Sequence, residues 1–225
     1  MEANYNEYMS LENKDIASLR VNYALKTFHE EDVISNPFKQ FSVWLTEAID
    51  SKANEPNAMT LATVKSDGKP SARVVLLKDF SEKGFVFFTN YESNKGIELD
   101  HNPCVASVFC WLELQRQVRI EGTVKKISEV DSDEYFHSRP HGSKIGAHAS
   151  PQSKVIKGRE ILENNFAEIE KLFHEKPIMR PKHWGGYIIE PTQIEFWQGR
   201  QSRLHDRFLF TKQIDNSWKV ERLAP

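Results

Sequence analysis

Residues 58–90 read AMTLATVKSDGKPSARVVLLKDFSEKGFVFFTN. Two runs rich in apolar and β-branched residues, 58–65 and 71–79, flank Ser66-Asp67-Gly68-Lys69. A turn-forming tetrapeptide between such runs predicts a β-hairpin. After a turn at Ser81–Lys83, GFVFFTN (84–90) predicts a third strand. Three strands in quick succession set the expectation of a sheet-dominated fold.

Working outward, Asn36-Pro37 suits a helix start, with Asn as cap and Pro in the first turn. Phe38, Phe41, Leu45 and Ala48 follow at helical spacing, so this helix should lay an apolar face on the sheet. Residues 1–36 read as a polar arm. Downstream, Ser93 caps a short helix, Asn94–His101, and Pro103 helps to stop it. Strands are predicted at 105–111 and 115–126; in the second, Val118, Ile120 and Val124 alternate with Gln117, Arg119 and Glu121. Residues 129–174 are predicted mainly helical, with Ile161, Leu162, Phe166, Ile169 and Phe173 as an apolar stripe. A proline-containing link, 175–183, leads to strands at 184–190, 193–198, 203–211 and 217–223. The expected class is α+β, mainly β: a closed or split β-barrel with covering helices over 37–225.

Composition narrows the function. The 225 residues are 39% hydrophobic, yet no run approaches the roughly 20 apolar residues of a membrane-spanning helix. The start, MEANYNEYMS, lacks the basic and apolar segments of a signal peptide, so the expected location is the cytoplasm. A net charge of −2 argues against general nucleic-acid affinity. Cys104 and Cys110 share a strand face but lie too far apart to bond, and read as reduced packing residues. No metal-ligand spacing, GxGxxG, P-loop or GxSxG motif is present.

Four clusters carry candidate chemistry. Arg73-Val74-Val75-Leu76-Leu77-Lys78 has a cation at each end, which strict alternation places on opposite faces. One ligand could meet both only through a bulge, a strong twist or a second subunit, and the plainer reading is two snorkelling surface cations. Phe88-Thr89-Asn90 running into Ser93-Asn94-Lys95 is a strand end feeding a helix start, either an anion site or a plain cap. Tyr135 and Arg139 share a helix face, with Ser143 in a following glycine-containing loop, a set that suits a phosphate monoester or a simple helix end. The densest run is Trp197-Gln-Gly-Arg200-Gln-Ser-Arg203-Leu204-His205-Asp206-Arg207. If it is extended, Arg203, His205 and Arg207 share one face, an arrangement that calls for an anionic partner. Gln117 sits on a polar strand face, and Gln152-Ser153 in a polar loop. Scattered anion cradles, amides and an aromatic point to a phosphorylated heterocyclic cofactor with a phosphorylated substrate.

At these same residues the chain resembles the pyridoxine/pyridoxamine 5′-phosphate oxidases from about Arg20 to the C-terminus. The resemblance is carried by RVVLLK (73–78), RQVRIEG (116–122), YFHSRPHGSKIGAHASPQS (135–153), WGGY (184–187), IEFWQGRQSRLHDRF (194–208) and ERLAP (221–225). It implies a homodimeric split barrel with FMN at the subunit interface and a dimerisation region at about 184–225. FMN contacts would fall on Arg73 through Lys78, Phe88, Thr89, Lys95, Gln117, Gln152, Ser153, Trp197 and Arg207. Substrate phosphate would meet Lys78, Tyr135, Arg139 and Ser143. Arg203, Leu204 and His205 would hold the substrate ring, with Arg203 and His205 as the catalytic pair, and Arg20 and Tyr23 would cover it. The implied reaction is oxidation of pyridoxine or pyridoxamine 5′-phosphate by O2 to pyridoxal 5′-phosphate. Two positions depart from the family pattern: Asn94 stands where Arg is usual, and Val21-Asn22 makes the covering segment less basic. The alternatives are a split-barrel flavin oxidase of another compound, such as a phenazine precursor, and a non-catalytic FMN- or pyridoxal-phosphate-binding protein.

Overall fold

The computed structural model describes Leu19 and residues 21–225. Its strands are β1 (Ala58–Val64), β2 (Pro70–Leu76), β3 (Asp79–Ser81), β4 (Gly84–Asn90), β5 (Cys104–Trp111), β6 (Arg116–Lys126), β7 (Trp184–Gln198), β8 (Asp206–Lys212) and β9 (Trp218–Arg222). They form one antiparallel sheet in the order β2-β1-β5-β6-β7-β4-β3, with β8 added to β7 and β9 to β8. The opening hairpin forms as its turn residues predict, with Gly68 at φ +80°, where a side chain would be strained.

β7 is where the barrel splits. Its first half pairs with β4, its second half with β8, and β6 runs beside most of its length. Thr192 is the extra residue of a bulge, since Glu121 faces Gln193 while Gly122 faces Pro191. Gly122 is required there, because a Cβ would lie 2.1 Å from the Glu190 carbonyl oxygen. The sequence reading divided this strand into 184–190 and 193–198; the bulge bends it without interrupting it. The ends of the sheet meet again just past β2, where the Lys78 N–H donates to the Val86 carbonyl at 2.8 Å.

Five helices cover the sheet among the described residues: α1 (Pro37–Asp50), α2 (Asn94–His101), α3 (Glu129–Ser138), α4 (His141–Ala149) and α5 (Glu160–Leu172). Asn36 caps α1 by accepting from the N–H groups of Phe38 and Lys39 at 2.9 and 3.1 Å. Phe38, Phe41, Trp44 and Ala48 of α1 are buried, while Leu45 is only partly so. The Phe41 ring lies 5.0 Å from the rings of Phe80, Phe85 and Phe109, so α1 plugs the barrel. Burial of one such ring contributes about 1.5–3 kcal/mol. A second, smaller core of Phe136, Ile145, Ile178 and Trp184 joins α3 and α4 to the start of β7. Phe166, Ile169 and Phe173 of the predicted stripe pack against it from α5 and its end.

Two sequence expectations fail here. Ser143 lies in the first turn of α4 and not in a loop, because Pro140 directly restarts a helix. Cys104 and Cys110 are free and exposed rather than packed, since their shared face is the outer one.

Candidate active site

One cleft of about 620 Å³ opens beside the junction of β2, β4 and α2. Arg73, Val74, Val75, Leu76 and Lys78 form one wall, Phe88, Thr89, Asn90 and Lys95 the floor, and Tyr135, Arg139, Ser143 and Gln152 the opposite wall. Arg73 and Lys78 both reach it. Strict alternation forbids this only while the strand continues, and β2 ends at Leu76. Leu77 turns into the core, and Lys78 follows on the cleft side.

The cleft is prepared for anions. Ser93 caps α2 through the Gly96 N–H, which places Lys95 in the first helical turn. The Lys95 ammonium touches the hydroxyls of Thr89 and Ser93 at 3.1 and 3.3 Å. Among the described residues no carboxylate forms an ion pair with it. Burial, then the Arg73 charge, hold its pKa below the usual lysine value. Arg73 itself is tied to Glu98 at 3.0 Å and to the Ser71 hydroxyl at 2.7 Å, so it is held in place and partly neutralised. Asn94 is exposed and does not line the cleft.

Across the cleft, Arg139 follows the last turn of α3 with its guanidinium 4.5 Å above the Trp184 ring. Its Nη1 is buried and has no hydrogen-bond partner. Leaving such a donor unmet costs about 1–3 kcal/mol, more when it is charged. A ligand oxygen is the natural acceptor. Burial pushes the Tyr135 phenol up in pKa, which keeps its proton available for donation. The Tyr135 ring stacks on Phe88 at 3.8 Å. Trp184 also lines the cleft; the only sign of it in the sequence is the WGGY string.

A second group of expected residues lies elsewhere on the sheet. Gln117, Trp197 and Arg207 are in register across β6, β7 and β8, forming one row. The His205 ring lies 4.5 Å from Trp197, and Tyr23 sets an edge against both rings at 5.9 and 5.8 Å. Arg203 and Leu204 are exposed at the turn leading into β8. None of these shelf residues lines the cleft, nor does Ser153. Arg20 lies outside the described residues.

The predicted stripe of Arg203, His205 and Arg207 on one extended face does not form. Gln201–Arg203 is a single 3-10 turn, and Ser202 and Arg203 take left-handed φ values of 55° and 62°. Such residues cost about 1–2 kcal/mol each, so tertiary contacts hold the turn. Arg207 instead binds Glu195 at 2.8 and 3.1 Å, and that bonding raises its pKa. Repulsion among the cations is relieved by a turn and an internal carboxylate. His205 remains near both, and burial, then Arg203 and Arg207, hold its pKa below the ordinary 6.5.

Fold and cleft together define a split-barrel protein with a prepared anion site. Residues 45–173 match the family described as pyridoxamine 5′-phosphate oxidase, and 184–225 match the pyridoxine 5′-phosphate oxidase C-terminal dimerisation region. A pyridoxine/pyridoxamine 5′-phosphate oxidase of Trichormus variabilis is 54% identical over 95% of this chain and 100% of its own. One from Burkholderia mallei is 57% identical over 93% of this chain and 99% of its own. Among solved structures, PhzG of Burkholderia lata 383, in complex with tetrahydrophenazine-1-carboxylic acid, superposes with a TM-score of 0.83 at 30% identity, covering 89% of this chain and 99% of that one. A pyridoxamine 5′-phosphate oxidase-related, FMN binding protein of Nostoc punctiforme shares the fold at a TM-score of 0.69 and 17% identity, over 86% of this chain and 100% of that one. The chain belongs to the pyridoxine/pyridoxamine 5′-phosphate oxidase family and is an oxidoreductase of that family. Membership supports FMN as the cofactor, and the Lys95 ammonium beside Arg73, bonded only to hydroxyls among the described residues, fits its phosphate. Among the described residues no helix is long and apolar enough to cross a membrane.

Proposed function

We propose that the chain oxidises pyridoxine 5′-phosphate or pyridoxamine 5′-phosphate with O2, yielding pyridoxal 5′-phosphate and H2O2; with the amine, water then hydrolyses the imine and ammonia leaves. The single observation that carries this reading is the buried, unpartnered Nη1 of Arg139, a residue that lines the same cleft as Lys95. Two cationic centres, one in the floor and one in a wall, suit two phosphates, one of a cofactor and one of a substrate. Arg73, Lys95, Thr89 and the 74–78 backbone would hold FMN, and Lys78, Tyr135, Arg139 and Ser143 the substrate phosphate. When bound, FMN supplies the two-electron acceptance that oxidises C4′ and passes the electrons on to O2. Arg203 orients the C4′ substituent and His205 the ring, with Leu204 beside them; Tyr23 and Arg20 cover the site.

The shelf reaches the reaction in a homodimer. Trp197, Arg203, His205 and Arg207 all lie within the segment matched to a dimerisation region. In a two-fold dimer the shelf of one protomer would face the cleft of its partner, adding Gln117, Trp197 and Arg207 to the FMN site there. Gln152 and Ser153 would close the cofactor from the loop after α4. Residues 1–36 act as the covering arm, 37–225 as the oxidase domain, and the protein works in the cytoplasm.

The similarity to PhzG gives a second reading, a flavin oxidase of a tricyclic carboxylate. Mixing the FMN-loaded protein anaerobically with pyridoxine 5′-phosphate separates the two. Bleaching of the flavin with appearance of the pyridoxal phosphate aldehyde supports the first. Bleaching only by tetrahydrophenazine-1-carboxylic acid supports the second. A flavin that stays oxidised with both leaves a storage role.

A further inference from the structure

The loop between β7 and β8 holds a network that the proposed chemistry does not use. Asp206 is buried at the first position of β8. Its Oδ2 accepts from the Phe28 N–H at 3.0 Å and from Arg200 Nη1 at 2.6 Å, and its Oδ1 accepts from Arg222 Nη1 at 3.0 Å. Burial pushes this carboxyl up in pKa, but the Phe28 N–H, Arg222 and Arg200 outweigh it and keep the group ionised. The Arg200 side chain is thus pinned to a fixed charge. Its backbone N–H, at the other end of the residue, donates to His205 Nδ1 at 3.1 Å.

A backbone N–H only donates, so the nitrogen it meets must be bare. Neutral His205 therefore carries its proton on Nε2. Protonating Nδ1 sets two donors against each other. The charged groups around the ring agree: Arg203 from the turn and Arg207 from β8 oppose a positive imidazole, and among the described residues only Asp206, already shared by three donors, favours one. The remaining neighbours, Trp197 from β7 and Tyr23 from the N-terminal segment, present aromatic rings.

We propose that Arg200, anchored by Asp206, is a positioning residue that fixes His205 as an Nε2–H hydrogen-bond donor and so removes it as a proton-accepting base. That His205 meets substrate rests on the functional reading above; the tautomer does not. The consequence for the reaction is that His205 holds an acceptor atom of the substrate ring.

The test uses FMN-loaded protein labelled with 15N-histidine, with His205 signals assigned by their loss in His205→Gln. Two-bond proton–nitrogen correlations should show a bare Nδ1 and a protonated Nε2. Arg200→Ala keeps the backbone N–H but releases its anchor. The Nδ1–H tautomer should then gain population, and kcat/KM should fall about tenfold. FMN content and thermal unfolding should stay as in the parent. Arg200→Lys, which still reaches Asp206, should restore both the tautomer and most of the rate. A parent protein with its proton on Nδ1 overturns the inference. So does Arg200→Ala with tautomer and kcat/KM unchanged. If the parent oxidises no B6 phosphate yet shows the expected tautomer and its loss in Arg200→Ala, the functional reading falls and the positioning role stands.

Discussion

The cleft and the shelf were built by opposite means. The cleft is made of element ends: β2 stops, β4 runs into the start of α2, and α3 stops at Arg139. Each leaves a cationic side chain lining one space, Lys78, Lys95 and Arg139, and Lys95 and Arg139 form no ion pair with a carboxylate among the described residues. On the shelf two cations are settled internally, Arg207 on Glu195 and Arg200 on Asp206, while Arg203 stays exposed with no ion pair among the described residues. The cleft therefore keeps cationic charge available for anions, whereas the ion pairs of the shelf hold an aromatic surface and a strained turn in place.

If this contrast is right, substitutions in the two regions fail differently. Arg139→Ala should have the largest effect, lowering kcat/KM for pyridoxine 5′-phosphate about hundredfold through KM, for loss of a charged bidentate contact of about 3 kcal/mol. Equal losses in kcat and in FMN content would break the division of the cleft. Lys95→Met should weaken FMN binding by about ten- to thirtyfold, read by fluorescence titration, with little change in kcat at saturating FMN. Arg203→Ala on the shelf should leave FMN bound and slow turnover at least about tenfold, a loss of ~1.4 kcal/mol. Unchanged turnover removes Arg203 from the mechanism.

The smallest effect concerns pH. His205 has its pKa lowered by burial and then by Arg203 and Arg207, so it is neutral above that pKa and gains charge below it. The acid limb of kcat/KM should therefore lie below pH 6.5. Arg203→Ala removes a positive neighbour, which raises the His205 pKa and moves that limb to higher pH. A limb that stays in place would detach His205 from it.

The sequence made the cleft legible where signals were local. Asn36-Pro37, Ser93 and the Ser66–Lys69 turn each act through the residues beside them, and each forms as predicted. Where a reading needed continuity it failed. Arg73 and Lys78 were separated by assuming an unbroken strand, and Arg203, His205 and Arg207 were joined by assuming an extended one. The two have one cause: where a strand ends is set by partners on other strands, such as Val86 for Lys78 and Glu195 for Arg207. The Asp206 network was hidden for the same reason, since it draws on Phe28, Arg200 and Arg222 at once. The pairing of shelf with cleft has no local signal at all, and rests on family membership.

That pairing is tested most directly with a hybrid dimer. One protomer carries Arg139→Ala in the cleft, the other Arg203→Ala on the shelf, with different tags so that the mixed dimer is purified alone. If each active site joins the cleft of one protomer to the shelf of the other, one site holds both lesions and one holds neither. The hybrid should then recover about half of the wild-type kcat/KM, although each homodimer is crippled in it. A hybrid no more active than its two parents would place cleft and shelf of a single protomer in the same site and contradict the account.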